Sequence, residues 1–308
     1  MPTTVLFVGD VNVDLNLSGL VQDPVPDREI LATGFEVAIG SSAAIAAVAH
    51  ASLGGPTTFL GLAGDDDYGR FMKAQMADAG VDVGRICLDA TLRTGVTVNL
   101  VKDQHRTQIT YPGAIPLLQV AASDLEGIAG LSHVHFAGIY QQKLLLPQLA
   151  GLIGQLHERN ITVSIDPQWD ESERWVHADQ WLRVADIVLV NADEARSITG
   201  KSDLDAAMDA LAGICRCVVI KDGASGAVLR EGGREHRVSG FSIPFVDSIG
   251  AGDNFAAGFL YSRLQRGEDG PAALGYGNAA AARSCCFPGG TGARSRDADI
   301  VQFLKERK

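Results

Sequence analysis

Cysteine is scarce in this sequence, and the few cysteines present have no pattern that suggests a structural role. The chain has 308 residues and five cysteines, namely Cys87, Cys215, Cys217, Cys285 and Cys286. An odd count with Cys-x-Cys and Cys-Cys spacings fits neither a disulfide framework nor a common zinc site. We therefore expect reduced thiols, as in a cytoplasmic protein.

Long apolar runs and positive charge are also lacking. No apolar run approaches the roughly 20 residues that a membrane helix needs, and the N-terminus lacks the regions of a signal peptide. Lysine and arginine number 26 against 37 acidic residues, which gives a net charge of −11. This balance argues against a nucleic acid or a membrane surface as partner. It leaves a phosphorylated ligand open, because helix N-termini bind phosphate without net positive charge.

Short apolar runs alternate with helical patterns along the chain. This alternation predicts an α/β fold with a mainly parallel central sheet and helices on both faces. The predicted strands are Val5–Gly9, Thr57–Leu62, His133–Phe136, Ile161–Ile165, Ile187–Val190 and Cys217–Ile220. The predicted helices are Ser42–Leu53, Asp67–Ala79, Leu144–His157, Leu204–Ala212, Gly252–Leu264, Pro271–Ser284 and Asp297–Lys305, with another that begins at Asn191.

Two stretches, at approximately 13–37 and 95–112, interrupt this rhythm. Their apolar residues alternate with a period of two, as in Val96–Leu100, which is typical of β-hairpins. We expect them to form a small sheet that projects as a lid; ordinary edge strands are the alternative. The predicted organisation is one domain over residues 1–308 with the two lid hairpins inserted in it.

The segment Asp247–Gly258 carries the strongest chemical signal. Its glycine-rich turn opens a predicted helix, so the amides of Gly250, Ala251 and Gly252 would face an anion with the helix dipole behind them. Asp253 lies in the first helical turn, where its carboxylate could accept a proton from a substrate hydroxyl. Taken alone, such a turn is more often a plain helix start in which the dipole favours the aspartate.

The whole segment resembles the C-terminal signature of the ribokinase-like (PfkB) carbohydrate kinases. This resemblance implies that Asp253 is the catalytic base and that Gly250, Ala251 and Gly252 form the anion hole for the transferring phosphoryl group. The resemblance covers nearly the whole chain and implies the ribokinase-like fold. It also implies that the two hairpins are the family's lid, which shields the sugar and sometimes forms a dimer interface.

On the acceptor side, the Asn12 and Asp14 region is similar to the family's first strand and turn. The resemblance implies that these two residues contact substrate hydroxyls; an Asx-rich turn is the alternative. Gly40 matches a close-approach position near the substrate in the family's N-terminal signature. The chain has Ile39 and Ala44 where the family usually has Gly and Asn, which would make the pocket floor more apolar.

On the nucleotide side, Asn191 and Glu194 resemble a family element that helps to place Mg²⁺ and the phosphates through water. The same spacing also fits a helix capping box. Lys221, Gly223 and Gly226 are similar to the family's turn under ATP, so Lys221 could reach a phosphate; a solvated strand end is the alternative.

Four further positions have two interpretations each. Asn278 matches a helix position that lines the family's adenine pocket, or it serves helix packing. Asp247 and residues 284–290 correspond to a region that often binds K⁺ in the family, so a K⁺ site is one interpretation of these residues and a purely structural role is the other. Residues 166–170 line the substrate pocket or form a plain strand-end turn. Arg106 in the second hairpin meets an anionic or hydroxylated acceptor, or it is a solvated charge.

These observations together predict an ATP- and Mg²⁺-dependent kinase that phosphorylates a hydroxyl, expected to be primary, of a sugar or sugar-like molecule. One alternative is a nucleoside kinase of the same family. A stacking aromatic in the pocket would favour that alternative, and a ring of polar groups would favour a sugar. The other alternative is a non-catalytic ligand-sensing protein, against which the intact Asp253 argues. A homodimer through the lid is the expected mode of any self-association.

Overall fold

The computed structural model describes residues 3–102 and 105–307, without the side chains of residues 105 and 106. The hypothesis on the Arg106 side chain therefore lies outside the described residues. The strands are β1 (Thr4–Val8), β2 (Asn12–Ser18), β3 (Gly34–Ile39), β4 (Thr57–Gly64), β5 (Asp82–Asp89), β6 (Gly95–Lys102), β7 (His105–Tyr111), β8 (Leu131–Ala137), β9 (Thr162–Asp166), β10 (Ile187–Asn191), β11 (Cys217–Lys221), β12 (Ala227–Glu231) and β13 (Arg234–Val238). The α-helices are α1 (Ser42–Ser52), α2 (Asp67–Asp78), α3 (Leu149–Glu158), α4 (Ala178–Val184), α5 (Ala192–Thr199), α6 (Leu204–Ala212), α7 (Ala251–Leu264), α8 (Gly270–Ser284) and α9 (Asp297–Glu306).

Nine strands form the main sheet in the order β13-β12-β11-β10-β9-β8-β1-β4-β5. The seven strands from β11 to β5 run parallel, and β12 and β13 add an antiparallel edge. Every residue of β1 is buried, because helices cover both faces of the sheet. The α/β fold class predicted from the sequence is confirmed.

Alternate residues of β1 show how the two helical layers attach. Val5 and Phe7 pack in a cluster with α1 and α2, whereas Leu6 and Val8 pack in a cluster with α3 to α6. Helices α7 and α8 cover the β10–β12 part of the first face, and α9 packs on α8. In residues 3–102 and 105–307, no helix is long and apolar enough to cross a bilayer.

The second sheet has four strands in the order β3-β2-β6-β7, and it contains both predicted lid stretches. Residues paired across these strands share a face, so the register gives the sheet one apolar and one polar side. The apolar side carries rows such as Val37, Leu15, Val98 and Ile109. The polar side carries the rows formed by Asn16, Asn99 and Gln108 and by Asp14, Thr97 and Thr110.

The predicted elements match the observed ones within two residues, with one exception. The helix predicted at Leu144–His157 begins at Leu149, because Pro147 lies in a separate 3₁₀ turn at Leu146–Gln148. The sequence patterns also missed β5, β12, β13 and α4. Strand β5 lies at the sheet edge and is mostly exposed or half-buried, so it lacks the apolar run of a central strand.

The four-stranded sheet β3-β2-β6-β7 is named the lid sheet below. Gly40 joins it to the main body between β3 and α1. Its amide donates to the Asn12 carbonyl at 3.2 Å. A Cβ atom at Gly40 would lie 2.3 Å from Asp14 Oδ1 and 2.7 Å from Asn12 Nδ2. Only glycine leaves room for these two side chains, so the position fixes how closely β2 passes the start of α1.

We predict that Gly40→Ala lowers the free energy of unfolding by about 1–3 kcal/mol, because the added methyl group overpacks buried polar atoms. Denaturant unfolding measures the change. Gly151→Ala is the matched control: Gly151 lies in α3 and has open space around it, so alanine there should stabilise by about 0.5–1 kcal/mol. A Gly40→Ala variant as stable as the parent would contradict the close approach.

Candidate active site

A cleft with a volume of about 930 Å³ lies at the carboxyl ends of the parallel strands, under the polar face of the lid sheet. Ten of the residues predicted from the sequence line it together: Asn12, Asp14, Asn191, Glu194, Lys221, Gly223, Gly250, Ala251, Gly252 and Asp253. Its volume suits a nucleotide beside a small acceptor. A second cavity, of about 830 Å³, lies at the amino ends of the strands, where Thr162 is the first residue of β9 and Cys217 is the first residue of β11.

The glycine-rich turn at the start of α7 forms one wall of the cleft. Gly250 is the N-cap and has a left-handed φ of 69°. The Asn254 side chain locks this turn, because its amide donates to the carbonyls of Gly250 and Gly290 at 2.8 Å each. The Ala251 amide already donates to the Ser248 carbonyl at 3.2 Å.

Of the three amides predicted to form an anion hole, the Ala251 amide is thus already engaged. In the part of the chain that the structure describes, the amides of Gly250 and Gly252 have no protein acceptor. Both lie at the positive end of the α7 dipole and can receive an anion. A Cβ atom at Gly252 would lie 3.2 Å from Lys221 Nζ, so glycine keeps the lysine close to this turn.

Asp253 is buried in the first turn of α7, with 7% of its surface exposed. Burial first, and the neighbouring Asp166 carboxylate second, raise the pKa of Asp253 to about 8. The Lys221 ammonium group and a hydrogen bond from Ser42 act in the opposite direction. The Gln168 side-chain amide lies 3.5 Å from Asp253 Oδ1. The carboxyl group thus titrates near neutral pH, which suits proton exchange with a substrate hydroxyl.

Lys221, at the end of β11, is the centre of a buried ionic network. Its Nζ donates to Asp166 Oδ2 at 2.5 Å, and both side chains are largely shielded from water. Burial acts to lower the pKa of Lys221, but Asp166 and Glu194 outweigh it and the pKa is raised. Burial and Asp166 raise the pKa of Glu194 to about 7. The network can exchange protons near neutral pH and still hold one fixed positive charge.

Asn191 and Glu194 form the capping box of α5. The Asn191 side-chain oxygen accepts from the backbone amide of Glu194, and the Glu194 carboxylate accepts from the backbone amide of Asn191, both at 2.8 Å. Both residues also line the cleft. The two interpretations of this spacing are compatible, since the cap places the Glu194 carboxylate beside Lys221.

The wall near the lid is polar. Asn12 donates to the Thr97 hydroxyl at 3.0 Å, and the Thr97 and Thr110 hydroxyls lie 3.0 Å apart. Asp10 is a buried carboxyl group in the same wall and accepts from Ser41 at 3.0 Å. Burial raises the pKa of Asp10 to about 6, and the bond from Ser41 partly offsets this effect.

Another part of the lining carries an exposed aromatic side chain, Trp169, together with Gln141, Gln168 and Glu171. Both features that the sequence analysis used as discriminators are therefore present: a ring of polar groups and an aromatic surface. Ile39 and Ala44 do not form the expected apolar floor. Both pack in the hydrophobic cluster with α1, because the side chain of each points into the core.

Four predicted residues lie outside the lining of the cleft. Gly40 packs beneath Asn12 and Asp14. Gly226 has a φ of 107°, and Asn278 donates to the carbonyl of Val238 at 3.1 Å, so both shape the loop after β13. Asp247 accepts from the amides of Ile249 and Gly289 at 2.9 Å each, which ties the segment before α7 to residues 284–290.

Several cleft residues escaped the sequence analysis. Asp10 is in the same turn as Asn12, and Thr97, Gln108 and Thr110 follow the alternation of the lid strands, so their pattern was visible. Trp169 lies in the stretch 166–170, for which the sequence allowed either a pocket wall or a plain turn. In the described residues, no group of three His, Cys, Asp or Glu side chains is arranged to hold a metal ion.

Comparison with known proteins identifies relatives over almost the full length. The chain is 30% identical to the ATP-dependent ribose-1-phosphate kinase of Halopiger xanaduensis, and the match covers 98% of each chain. It is 31% identical to the aminoimidazole riboside kinase of Salmonella typhimurium over 84% of this chain and 80% of the relative. A fructokinase structure from Vibrio cholerae, bound to fructose, ADP and potassium ion, superposes with a TM-score of 0.81 at 26% identity, covering 98% of each chain.

The family model described as pfkB family carbohydrate kinase matches residues 2–295. That range includes the lid strands, the Lys221 network and the whole Asp247–Gly258 turn. From this match, with the glycine-rich turn and Asp253 lining the cleft, we conclude that the chain belongs to the pfkB family of carbohydrate kinases.

Proposed function

We propose that this ATP-dependent carbohydrate kinase transfers the γ-phosphoryl group of ATP to a primary hydroxyl of a sugar or sugar-like acceptor, with Asp253 as the base. The observation that carries the proposal is the shared cleft. Asp253 and the Gly250–Gly252 turn lie in it together with Asn12 and Asp14, which suit a hydroxylated acceptor, and with Lys221, which suits a phosphate.

In the proposed reaction, Asn12 and Asp14 hold the acceptor through its hydroxyls. The acceptor oxygen forms a bond to the γ-phosphorus as the bond from that phosphorus to the bridging oxygen of ADP breaks. The hydroxyl proton passes to the Asp253 carboxylate. The amides of Gly250 and Gly252, with the α7 dipole, stabilise the negative charge on the transferring group.

The nucleotide half is assigned to Asn191, Glu194, Lys221, Gly223, Gly226 and Asn278. These residues fit a nucleotide, because the absence of a Cβ atom at Gly252 leaves Lys221 Nζ free to lie beside the turn. They also fit a divalent cation, because the carboxyl groups around Lys221 outnumber this one lysine. Glu194 would hold Mg²⁺ through water. Magnesium, when bound, neutralises phosphate charge and polarises the γ-phosphoryl group. Gly226 and Asn278 shape the loop over the adenine side.

We also propose a K⁺ site formed by Asp247 and residues 284–290. The two hydrogen bonds of Asp247 draw this segment against the start of the anion hole, so a cation there would set the position of the turn. Replacing K⁺ by tetramethylammonium in the assay should then lower kcat; an unchanged kcat would count against the site.

The lid sheet is proposed as the mobile cover of a single domain over residues 1–308 and as the dimer interface. Its apolar side leaves Phe35, Ile109 and Tyr111 more than half exposed, although part of that side, such as Val13 and Ile39, packs in the cluster with α1 and α2. A second copy would cover them. Sedimentation at the mass of one 32.5 kDa chain would contradict the dimer.

Two rival functions remain testable in one experiment. Trp169 favours a nucleoside acceptor, since an exposed aromatic ring in a cleft can stack on a base. A ligand sensor would bind without turnover. Measuring ADP release with a panel of sugars and nucleosides separates these from the sugar kinase.

We predict that Asp253→Asn lowers kcat by about a thousandfold or more, because the amide cannot accept the hydroxyl proton, while ATP still binds. The variant should also be more stable than the parent at pH 7. The raised pKa means that the folded state favours the protonated form, so the stability contributed by Asp253 is present below pH 3.8 and is lost as the pH rises to about 8.

Turnover assays, ATP titration and thermal unfolding measure the three effects. Asp205→Asn is the matched control, since Asp205 is a carboxylate in the first turn of α6 on the surface. Turnover within tenfold of the parent would rule out Asp253 as the base.

We predict that kcat/KM for the acceptor falls as the pH drops through about 8, because Asp253 of the free enzyme becomes protonated and can no longer accept a proton. Lys221→Met removes the positive charge that favours the ionised form of Asp253. The acidic limb of the kcat/KM profile should therefore move to higher pH by about one unit or more, and the KM for ATP should rise. Lys305→Met, on the exposed side of α9, is the control and should change neither. A pH limb that stays in place in Lys221→Met would disprove the coupling.

A further inference from the structure

The loop of residues 167–177, which we name the Trp169 loop, is held in an unusual conformation. Gln168, Glu173, Trp175 and His177 all have positive φ values, of 58°, 53°, 47° and 64°. Non-glycine residues rarely adopt this region, and a cluster of such residues persists only where the surroundings hold it. The backbone strain is therefore concentrated in one loop beside the cleft.

Buried contacts hold this loop in place. Asp170 is buried, and its carboxylate accepts from the Trp175 amide at 2.7 Å and from the Ser172 amide at 3.0 Å. The Trp175 indole donates to the Ser197 hydroxyl at 2.7 Å and meets the Tyr140 ring edge to face at 5.0 Å. The loop is thus fixed to the core from both sides.

Trp169 lines the cleft together with Gln168 and Glu171 of the same loop. Its ring meets Trp175 edge to face, with the centroids 5.7 Å apart and an interplanar angle of 84°. Trp175 and Trp181 are buried, whereas Trp169 is 40% exposed. A rigid edge contact on one side and an open ring surface in the cleft make a preformed stacking platform.

Carboxylates line the cleft near the platform, and Lys143, outside the lining, lies close enough to Asp170 to help lower its pKa. The Glu171 carboxylate lines the cleft next to Trp169, with the Gln141 amide 3.5 Å away. Asp10 and Asp14 also line the cleft. A sugar phosphate or sugar acid in this half would meet like charge, whereas a neutral ring could stack and donate its hydroxyls to the carboxylates.

We propose that Trp169 stacks on the ring of the acceptor and that Glu171 selects uncharged acceptors against anionic ones such as sugar phosphates. This inference rests on the proposed kinase function and names its substrate class. The shared chemistry is an uncharged, polyhydroxylated ring, whether that of a free sugar or of a nucleoside. Residues Trp169 and Glu171 bind and select; they take no part in the proton transfer.

Tryptophan fluorescence tests the stacking without requiring turnover. D-ribose, D-fructose and inosine, added without ATP, should change the emission of the parent, because Trp169 is the exposed one of three tryptophans. Trp169→Phe should lose most of this change. The response to free sugars or to inosine distinguishes the two sources of the ring.

We predict that Trp169→Ala raises the acceptor KM by about five- to tenfold with little change in kcat, because the lost stacking affects binding only. Trp169→Phe should keep most of the affinity. Tyr68→Ala removes an exposed aromatic from α2, outside the cleft lining, and should behave as the parent. An unchanged KM in Trp169→Ala, or a loss of kcat alone, would overturn the stacking role.

We predict that the parent prefers D-ribose to ribose 1-phosphate and that Glu171→Gln lowers the KM for ribose 1-phosphate by about threefold at low salt. The reason is that one repulsive charge is removed, so the gain should shrink as the ionic strength rises. The KM for D-ribose should stay within about twofold. Glu173→Gln, an exposed residue of the same loop outside the cleft lining, should change neither value.

The outcomes separate the two levels of the proposal. Ribose 1-phosphate as the best acceptor of the parent would overturn the selection of uncharged rings and leave the kinase function standing. Trp169-dependent fluorescence changes with no turnover on any acceptor would overturn the kinase function and support the platform. No fluorescence change with any neutral ring, together with turnover of an anionic acceptor, would overturn the inference outright.

Discussion

The buried ion pair between Lys221 and Asp166 is the interaction on which the carboxyl cluster of the cleft depends. Asp166, Glu194 and Asp253 lie around one ammonium group, and the pKa values of Glu194 and Asp253 are raised towards or above neutral pH. Without the lysine, these carboxyl groups would repel one another or take up protons. Parallel strands β9 and β11 end at the same edge of the sheet, which brings the two partners together from distant parts of the chain.

Charge divides the cleft into two halves with different requirements. In the proposed arrangement, the nucleotide half would receive a polyanion with one lysine, two helix-start amides and several carboxyl groups, so cations would accompany the phosphates to balance the charges. The acceptor half presents Asp10, Asp14 and Glu171, which favours hydroxyls over anions. In the proposed reaction, Asp253 lies among the carboxyl groups of the first half and takes its proton from a hydroxyl in the second. Burial first, and Asp166 second, raise the pKa of Asp253, because a charge is costly at this position.

The sequence predicted the layered sheet, the two hairpins and ten of the residues that line the cleft, because these depend on local periodicity and on short glycine-rich motifs. Strand β5 was missed since an exposed edge strand has no continuous apolar run. The pairing of Lys221 with Asp166 was also out of reach, since 55 residues separate them and only the strand order brings them together. The engaged Ala251 amide could not be foreseen either, because it depends on the turn geometry at Ser248.

The Trp169 loop shows why the acceptor side resists prediction more than the catalytic side does. Asp253 and its glycines are consecutive in sequence, so one motif identifies them. The acceptor surface combines Asn12 from β2, Thr97 and Thr110 from the lid strands and Trp169 from a strained loop, each fixed by contacts that no local pattern encodes. Ile39 and Ala44 suggested a difference in the pocket, yet both are core residues. The residues proposed for specificity are therefore brought together by long-range packing, whereas those proposed for the chemical step lie in one short motif.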